Sequence, residues 1–434
     1  MLLNSPAALR AFLEVESELE LLERAGHSDE AVQDVQRHKL ERLWSRAAST
    51  DYYAALADSD APALDSVPVT PKSVVRSEWR RFLVPEASTP YRYYETSGTT
   101  KGGPLPVPRL VEDVVWNTVT LANAWQKLVL PQEPAAVLLP SDVAPVGDTV
   151  TAACEYLGAP VVRCYPYAVG ICDFDREQEI FRRLRPRTVF SAPGLLMELM
   201  RALKRRRTFA DVAASVSRVM LLGEVATPSL QRLIAREWDA EVFDASYGST
   251  ETGTVAAACP ANQLHLLASA FVAEVSGDGI APARPGAEGG LVVTTLNGFA
   301  RPLLRYETGD TVSFSGACSC GLASPTLSVA GRIGETVTVG DTELDVSAVE
   351  EVVYALDGVT GYLLEVGDGE AGLVVERDVD CGSSDEELAS SAAEAFGEQG
   401  VEFSRIRCVR QLSAVTKSGA AQKNWKKTNV RLVA

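Results

Sequence analysis

The segment Tyr93-Tyr94-Glu95-Thr96-Ser97-Gly98-Thr99-Thr100-Lys101-Gly102-Gly103-Pro104 carries the densest group of residues able to hold an anion. Ser97, Thr99 and Thr100 offer hydroxyl donors, and the glycines beside them let backbone N–H groups approach closely, the makings of a phosphate nest. Lys101 adds a cation. The spacing is not Gly-x-x-x-x-Gly-Lys-Ser/Thr, and on composition alone a solvated turn reads the same way. Two later segments change the weight of this one: Ser246-Tyr247-Gly248-Ser249-Thr250-Glu251-Thr252-Gly253, and Pro302 to Asp310, which ends Glu307-Thr308-Gly309-Asp310. Thr250 and Glu251 place a hydroxyl donor next to a carboxylate, and oxygen ligands suit Mg²⁺. Gly331-Arg332 follows, with about a hundred residues beyond it.

A separate group has the chemistry of a metal site. Cys318-Ser319-Cys320 is a tight pair followed by Gly321, and Cys259 and His265 are separated by five residues. Only three histidines occur in the chain. Three thiolates and one imidazole make a closed tetrahedral set for structural zinc, with no open position for catalysis. The other reading is four free side chains in a core, since the Cys-x-x-Cys form is absent. Cys154, Cys164, Cys172 and Cys408 lie among apolar residues as small hydrophobes, and Cys381 lies in a polar loop.

In their order and separations, these segments resemble the adenylate-forming superfamily of acyl- and aryl-CoA synthetases, adenylation domains and luciferases, and within it the phenylacetate-CoA ligase-like branch. The resemblance covers roughly residues 90 to 430. It implies ATP-dependent activation of a carboxylic acid, aryl or arylacetic, as an acyl-adenylate. Transfer follows to a thiol, that of CoA or of the phosphopantetheine of a carrier protein. An aryl-AMP ligase loading a free-standing carrier in natural-product assembly is the neighbouring reading, and a non-catalytic nucleotide-binding relative the remote one.

The resemblance implies roles residue by residue. Ser97, Gly98, Thr99, Thr100 and Lys101 would hold the β- and γ-phosphates, although Lys101 is an extra residue against the family form Ser-Gly-Thr-Thr-Gly-x-Pro. Thr250 would donate to phosphate and Glu251 would hold Mg²⁺, with Tyr247 against adenine. Gly223 and Glu224 occupy the adenine-side loop, where Glu224 reads almost equally as a solvated turn. Asp310 would accept from both ribose hydroxyls, and Arg332 would stand as a forked donor near ribose or the α-phosphate. Arg305 reads as structural. The branch implies zinc at Cys259, His265, Cys318 and Cys320. Pocket residues for the acid fall at Ser191, Gly194, Ala245 and Ser246, and around 141–147.

The closing segment Lys417-Ser418-Gly419-Ala420-Ala421-Gln422-Lys423-Asn424 departs from the family at one consequential place. The resemblance puts a catalytic lysine, bridging carboxylate and α-phosphate, where this chain has Ala420. Either the position is a lysine-to-alanine change, or Lys423 or Lys417 serves instead, or the chain is a non-adenylating relative. Glu335, four positions after Gly331, matches the family's hinge residue.

The elements that must position these residues read as an α/β protein. Residues 7–48 show helical periodicity, and 110–129 a further helix. From Ala136 to Asp244 short apolar runs alternate with helical stretches, the pattern of mostly parallel strands in layers. Residues 270–330 change to short strands with Gly and Pro turns, a β-rich lobe. The tail reads strand, strand, helix, strand, strand, helix, strand. The expected domains are 1–334, binding ATP and carboxylate, and 335–434, small, mobile and α+β.

Composition bounds the rest. The 434 residues carry 41 Lys+Arg against 58 Asp+Glu, a formal charge of −17, which argues against nucleic-acid or anionic-membrane surfaces. The basic run Lys204-Arg205-Arg206-Arg207 reads as a solvated helix end. No apolar run approaches the ~20 residues of a membrane span, and the first residues lack a secretory pattern. A cytoplasmic location without structural disulfides is the expectation.

Overall fold

The computed structural model describes residues 5–56, 63–96, 103–168, 170–332, 336–339, 342–367, 370–412 and 429–432. Ser97, Gly98, Thr99, Thr100, Lys101, Glu335, Lys417, Ala420 and Lys423 lie outside the described residues. The described helices are α1 (Pro6–Arg24), α2 (Asp29–Ala48), α3 (Lys72–Ser77), α4 (Val111–Trp125), α5 (Pro145–Tyr156), α6 (Phe174–Leu184), α7 (Pro193–Arg205), α8 (Phe209–Ala213), α9 (Pro228–Trp238), α10 (Val346–Ala355) and α11 (Asp385–Gly397). Their starts follow capping chemistry. Ser5, Ser28, Asp173, Thr227 and Ser384 each accept a backbone N–H of the first turn, and Pro stands at the start of α1, α5, α7 and α9.

The chain forms two compact units. The first comprises Met1–Glu133, Pro140–Val161 and Asp244–Ile333. Its sheet is antiparallel, running Ile280–Pro282, Phe271–Ser276, Glu288–Thr295, Tyr306–Ser315, Thr326–Arg332, Leu264–Leu266, Gly253–Ala258, Glu241–Ser249. Strand Phe271–Ser276 alternates buried and half-buried residues, as one core-facing side requires. Leu291, Val293, Leu303, Leu304, Tyr306, Val312 and Phe314 form the core with Phe82 and Val107.

The amino-terminal helix pair is bonded into this unit through buried polar groups. Lys39 of α2, 4% exposed, donates to Glu18 of α1 (2.6 Å) and to the Ser269 carbonyl (2.8 Å), and its ammonium lies 4.2 Å from the Trp116 ring centre. Gln36 donates to the carbonyls of Ala268 and Phe271. Arg305 is structural: it grips Glu274 with two 2.9 Å bonds and donates to the carbonyls of Asp65 and Val67.

The second unit comprises Pro134–Leu139, Val162–Phe243 and Gly334–Ala434. Strands Ala135–Val137, Thr188–Ser191 and Arg218–Leu222 pair in parallel. The first two are buried at every residue, as strands covered on both faces must be. Its later part has a sheet of its own: Arg405–Val409, Glu370–Arg377, Val359–Gly367 and Val430–Leu432, with an antiparallel middle pair and parallel outer pairs. Helices α10 and α11 accompany it, and Thr336–Val339 and Thr342–Asp345 form a separate hairpin. This is the α/β class expected, with a parallel layered region, a β-rich lobe and an α+β carboxy-terminal part.

The solvated helix end expected at 204–207 holds for Arg205, Arg206 and Arg207, which are exposed at the end of α7, but not for Lys204. Lys204 is only 9% exposed and bonds Glu237 and Asp378, Arg205 bonds Glu376, Arg206 pairs with Asp175, and Arg207 bonds Asp380. The run is basic because carboxylates far away in sequence face it. Cys154, Cys164 and Cys172 are buried as expected, whereas Cys408 is half-buried.

Candidate functional site

In the first unit, the strands Arg92–Glu95 and Pro106–Arg109 form an antiparallel hairpin. Its neck is closed by two bonds, Thr96 N–H to the Leu105 carbonyl (3.0 Å) and Leu105 N–H to the Thr96 hydroxyl (2.9 Å). The described residues on either side of the Ser/Gly/Thr segment are therefore bonded to each other. Glu95 N–H also reaches the Val143 carbonyl (2.8 Å), and the Tyr94 hydroxyl donates to Asp148 (3.1 Å).

Strand Glu241–Ser249 brings Tyr247 beside Asp310 of strand Tyr306–Ser315: the phenol donates to the Asp310 carboxylate at 2.7 Å. Burial, and then the Asp310 charge, push the Tyr247 phenol well above its ordinary range, so it stays protonated and donating. Asp310 pairs in register with Arg332, whose backbone completes strand Thr326–Arg332. Gly309 has φ +77°, a turn that a β-carbon disfavours, and the Thr308 carbonyl exposed by it accepts from Lys72.

Beyond Tyr247 the strand bulges, and a β-carbon on Gly248 would lie 2.2 Å from the Gly253 carbonyl oxygen, so only glycine fits there. The turn that follows, Ser249 to Thr252, is tied by mutual bonds between the Ser249 and Thr252 hydroxyls and backbones at 3.0–3.2 Å. Three further side chains hold it from behind. Arg109 donates to the carbonyls of Thr250 (2.7 Å) and Glu251 (3.2 Å), Asn117 accepts from Thr254 N–H (2.8 Å), and Arg301 donates to the Glu251 carbonyl (3.4 Å). Arg301 is 2% exposed, and burial and the neighbouring Arg109 charge lower its guanidinium to about 10. Its Nε has no partner among the described residues. Thr250, half-buried, and Glu251, buried, thus stand on a turn whose backbone is bonded from several sides.

Sequence reading missed Arg109, Asn117 and Arg301, because a bond to a backbone carbonyl leaves no spacing signature. It also missed α3. There Lys72 and Arg76 share one face at i, i+4, Lys72 on the Thr308 carbonyl and Arg76 on the Gly103 carbonyl (2.8 Å) at the end of the Ser/Gly/Thr segment. Two cations thus reach the turn that carries Asp310 and the described residue Gly103. The charges at 72 and 76 were the available signal.

Of the pocket candidates, Ala245 is fully buried and its carbonyl accepts from Trp125 Nε1 (3.0 Å), while Ser246 is half-buried. Ser141 is half-buried, with its hydroxyl oxygen buried and unpartnered among the described residues. In the second unit, Ser191 is buried and donates to the Ala192 carbonyl, and Gly194 lies in the first turn of α7. Gly223 turns the chain out of strand Arg218–Leu222 with φ +90°, and Glu224 follows it half-buried.

Cys259, His265, Cys318 and Cys320 converge, with one ligand atom from each lying within 4.8 Å of all the others. Cys259 Sγ and Cys318 Sγ are 3.7 Å apart, and Cys320 Sγ is 3.2 Å from His265 Nε2. Zn–S bonds of about 2.3 Å at tetrahedral angles separate two sulfurs by about 3.8 Å. His265 Nδ1 lies 2.8 Å from the Ser324 carbonyl, a bond that makes Nδ1 the protonated nitrogen and frees Nε2 as a ligand. The donor set fits zinc.

Solved structures share this architecture. 2-Hydroxyisobutyryl-CoA ligase in the postadenylation state with an acyl-AMP superposes with a TM-score of 0.75 at 16% identity, covering 94% of this chain and 90% of that one. The fold is that of adenylate-forming CoA ligases. The same ligase in an open conformation with 2-HIB-AMP and CoA matches with a TM-score of 0.61 at 18% identity, over 94% of this chain and 92% of that one. Anthranilate-CoA ligase with anthranoyl-AMP matches at 0.52 and 16% identity, over 75% and 64%. No protein-family model matches the sequence, and no curated protein is significantly similar to it. No helix among the described residues is long and apolar enough to cross a membrane.

Proposed function

We propose that this chain is an ATP-dependent ligase that activates a small carboxylic acid. A carboxylate oxygen bonds to the α-phosphorus of ATP and the bond from that phosphorus to the β,γ-bridge breaks, releasing pyrophosphate. A thiol sulfur then bonds to the acyl carbon and AMP leaves. The observation that carries the reading is the bonded pair Tyr247–Asp310 set beside a rigid Thr250–Glu251 turn: an aromatic face, a diol acceptor and a metal-binding carboxylate from one sheet.

In this reading Asp310 accepts from the ribose hydroxyls, with Tyr247 holding its second oxygen and stacking on adenine. Thr250 donates to phosphate, and Ser97, Gly98, Thr99, Thr100 and Lys101 receive the β- and γ-phosphates. Lys72 and Arg76 add positive charge along that path, which opposes the repulsion between two anions. Glu251 holds Mg²⁺, which supplies charge neutralisation on the phosphates. Gly223 and Glu224 border the adenine, Arg332 donates near ribose, and Ser191, Gly194, Ala245 and Ser246 line the acid pocket. Ala420 stands where a catalytic lysine is expected, with Lys423 as its substitute. Residues 335–434 form the mobile domain on residues 1–334, hinged at Glu335.

CoA is the favoured thiol because the fold relatives bound to acyl-AMP include one carrying CoA; a carrier-protein phosphopantetheine is the second reading. An aryl or arylacetic acid is the proposed substrate, in the phenylacetate-CoA ligase-like manner. Zinc at Cys259, His265, Cys318 and Cys320 pins strand Leu264–Leu266 to the loop at 316–325. Cys318→Ser is expected to lower bound zinc from one per chain to near zero in elemental analysis, together with the melting temperature.

ATP–pyrophosphate exchange with pooled aryl and arylacetic acids tests the reading, comparing this chain with its Ala420→Lys variant. Exchange in the variant alone supports both the ligase and the missing lysine. Equal exchange in both moves the lysine role to Lys423. Absence of exchange in both, with ATP still bound, rejects the aryl-acid ligase.

A further inference from the structure

This chain has Ala420 where the resemblance puts a lysine, so in the ligase reading the α-phosphate needs its cation from another side chain. Helix α3 brings one to the Asp310 turn. Lys72 donates to the Thr308 carbonyl, and a β-carbon placed on Gly309 would lie 3.6 Å from its Nζ. The ammonium thus packs against the glycine that precedes Asp310. Arg76, one helical turn on, is engaged elsewhere, on the Gly103 carbonyl (2.8 Å).

Backbone pairing fixes the root of Lys72. Thr70 forms a parallel bridge with Tyr306. Its N–H donates to the Arg305 carbonyl (2.8 Å), and its carbonyl accepts from Glu307 N–H (3.0 Å). Its hydroxyl donates to the Leu304 carbonyl (2.7 Å) and lies 3.1 Å from the Tyr53 hydroxyl. Lys72 stands two residues past one side of this bridge, and Thr308 two residues past the other. Parallel segments run the same way, so the two arrive side by side. Val75, fully buried, anchors the helix in the core that holds Tyr306.

The charge is also unspent. Among the described residues no carboxylate pairs with Lys72, although the chain has 58 Asp+Glu against 41 Lys+Arg. One backbone carbonyl holds the ammonium, and a flexible four-carbon stem lets it turn to a phosphate oxygen while its root stays in place. Asp310 accepts from ribose in the reading above, and the α-phosphate hangs from the 5′ carbon of that same sugar.

We infer that Lys72 supplies the cation missing at Ala420. Its ammonium bridges the α-phosphate and the incoming carboxylate as that oxygen bonds to phosphorus and the bond from phosphorus to the pyrophosphate oxygen breaks. No proton passes to or from Lys72; it offsets the repulsion between two anions by charge alone. The inference rests on the ligase reading, and it moves the lysine role from Lys423 to a residue of the first unit, which also holds Asp310 and Thr250.

The test measures acid-dependent ATP–pyrophosphate exchange, with pooled aryl and arylacetic acids, in four full-length chains: unaltered, Lys72→Gln, Ala420→Lys, and both changes together. Glutamine keeps a donor for the Thr308 carbonyl and removes the charge. Lys72→Gln is expected to lower exchange about a hundredfold beside Ala420, and less than about fivefold beside Ala420→Lys. ATP binding by calorimetry should stay within about threefold and the melting temperature should hold. Equal exchange with and without the Lys72 charge overturns the inference, and Lys423→Met then tests the other carrier. A parallel loss of ATP binding and exchange also overturns it, by making Lys72 a mere strut for the Asp310 turn. Exchange confined to the chains with Ala420→Lys overturns it and leaves the ligase reading intact; that comparison needs no Lys72 variant, so it decides even if Lys72→Gln shows no melting transition. Silence from all four chains, with ATP still bound, rejects the ligase reading and the inference together.

Discussion

The Ser249–Thr252 turn and the charged seam where residues 205–236 face 351–380 both gather arginines, and they use them in opposite ways. At the turn, Arg109 and Arg301 point at backbone carbonyls, in a site where Arg301 is 2% exposed. Their bonds tie a loop from its buried side. At the seam, Arg205, Arg207, Arg232 and Arg236 point at carboxylates, and most of those pairs reach solvent. There an ion or a water molecule can take the partner's place. A cation on a buried carbonyl makes a permanent strut, and a cation on an exposed carboxylate makes a reversible one. The direction of each arginine separates a buried strut from one that solvent reaches.

This contrast can be broken at four points. The largest effect belongs to what the rigid turn presents: Glu251→Gln should lower acid-dependent pyrophosphate exchange, measured in the exchange-competent form, about a thousandfold with the melting temperature kept. A matching drop in melting temperature would make Glu251 a structural residue instead. Next, Arg301→Met should cost about 3 kcal/mol in urea unfolding, because it strips a donor from buried carbonyls; a loss under 1 kcal/mol would mean the turn stands without it. Lys204→Met, which leaves Glu237 and Asp378 facing each other, should cost less, about 2 kcal/mol, and the loss should shrink in high salt. Salt independence there would put the seam in the same class as the turn.

The smallest effect probes a carboxyl with no cation at all. Glu177 of α6 is fully buried, and neither of its oxygens has a partner among the described residues. Burial, then Asp173, raises its pKa well above 4.5. The folded state therefore holds this proton longer than the unfolded state does. Its contribution to stability is fully present below about pH 4.5 and is lost as pH rises through the folded value. Glu177→Gln should remove that loss, gaining about 1 kcal/mol or more at pH 8 and nothing near pH 4 in denaturant titrations. Parallel stability–pH curves for the two proteins would show that the carboxyl is already solvated.

Much of the frame was readable from residue order because apolar periodicity reports on burial. The runs at 188–191 and 219–222, and the helix 228–238, lie where continuous or 3.6-spaced apolar residues put them, and the hairpin 336–339 with 342–345 follows from its β-branched residues. Convergence of Cys259, His265, Cys318 and Cys320 was readable because few side chains share that chemistry. Other features left no trace. Helix α3 is six residues long and largely polar, too short for a period to show. The strand pair around the Ser/Gly/Thr segment is interrupted by two prolines, Pro106 and Pro108, that mask its alternation. Within the run 204–207 only Lys204 is buried, and charge in sequence looks the same whether water or a distant carboxylate faces it.

The amino-terminal helices set a timetable for synthesis. Lys39 is translated 230 residues before Ser269, whose carbonyl completes its bonding. At roughly 5 to 20 residues per second, a ribosome leaves that interval open for roughly ten to fifty seconds. During it, α1 and α2 can pair through Lys39 and Glu18, but the ammonium still needs water until the turn at 268–271 emerges and displaces it. Helices α1 and α2 are thus made well before the segment that seals them, so a nascent-chain chaperone would find a long-lived client surface on their inward faces.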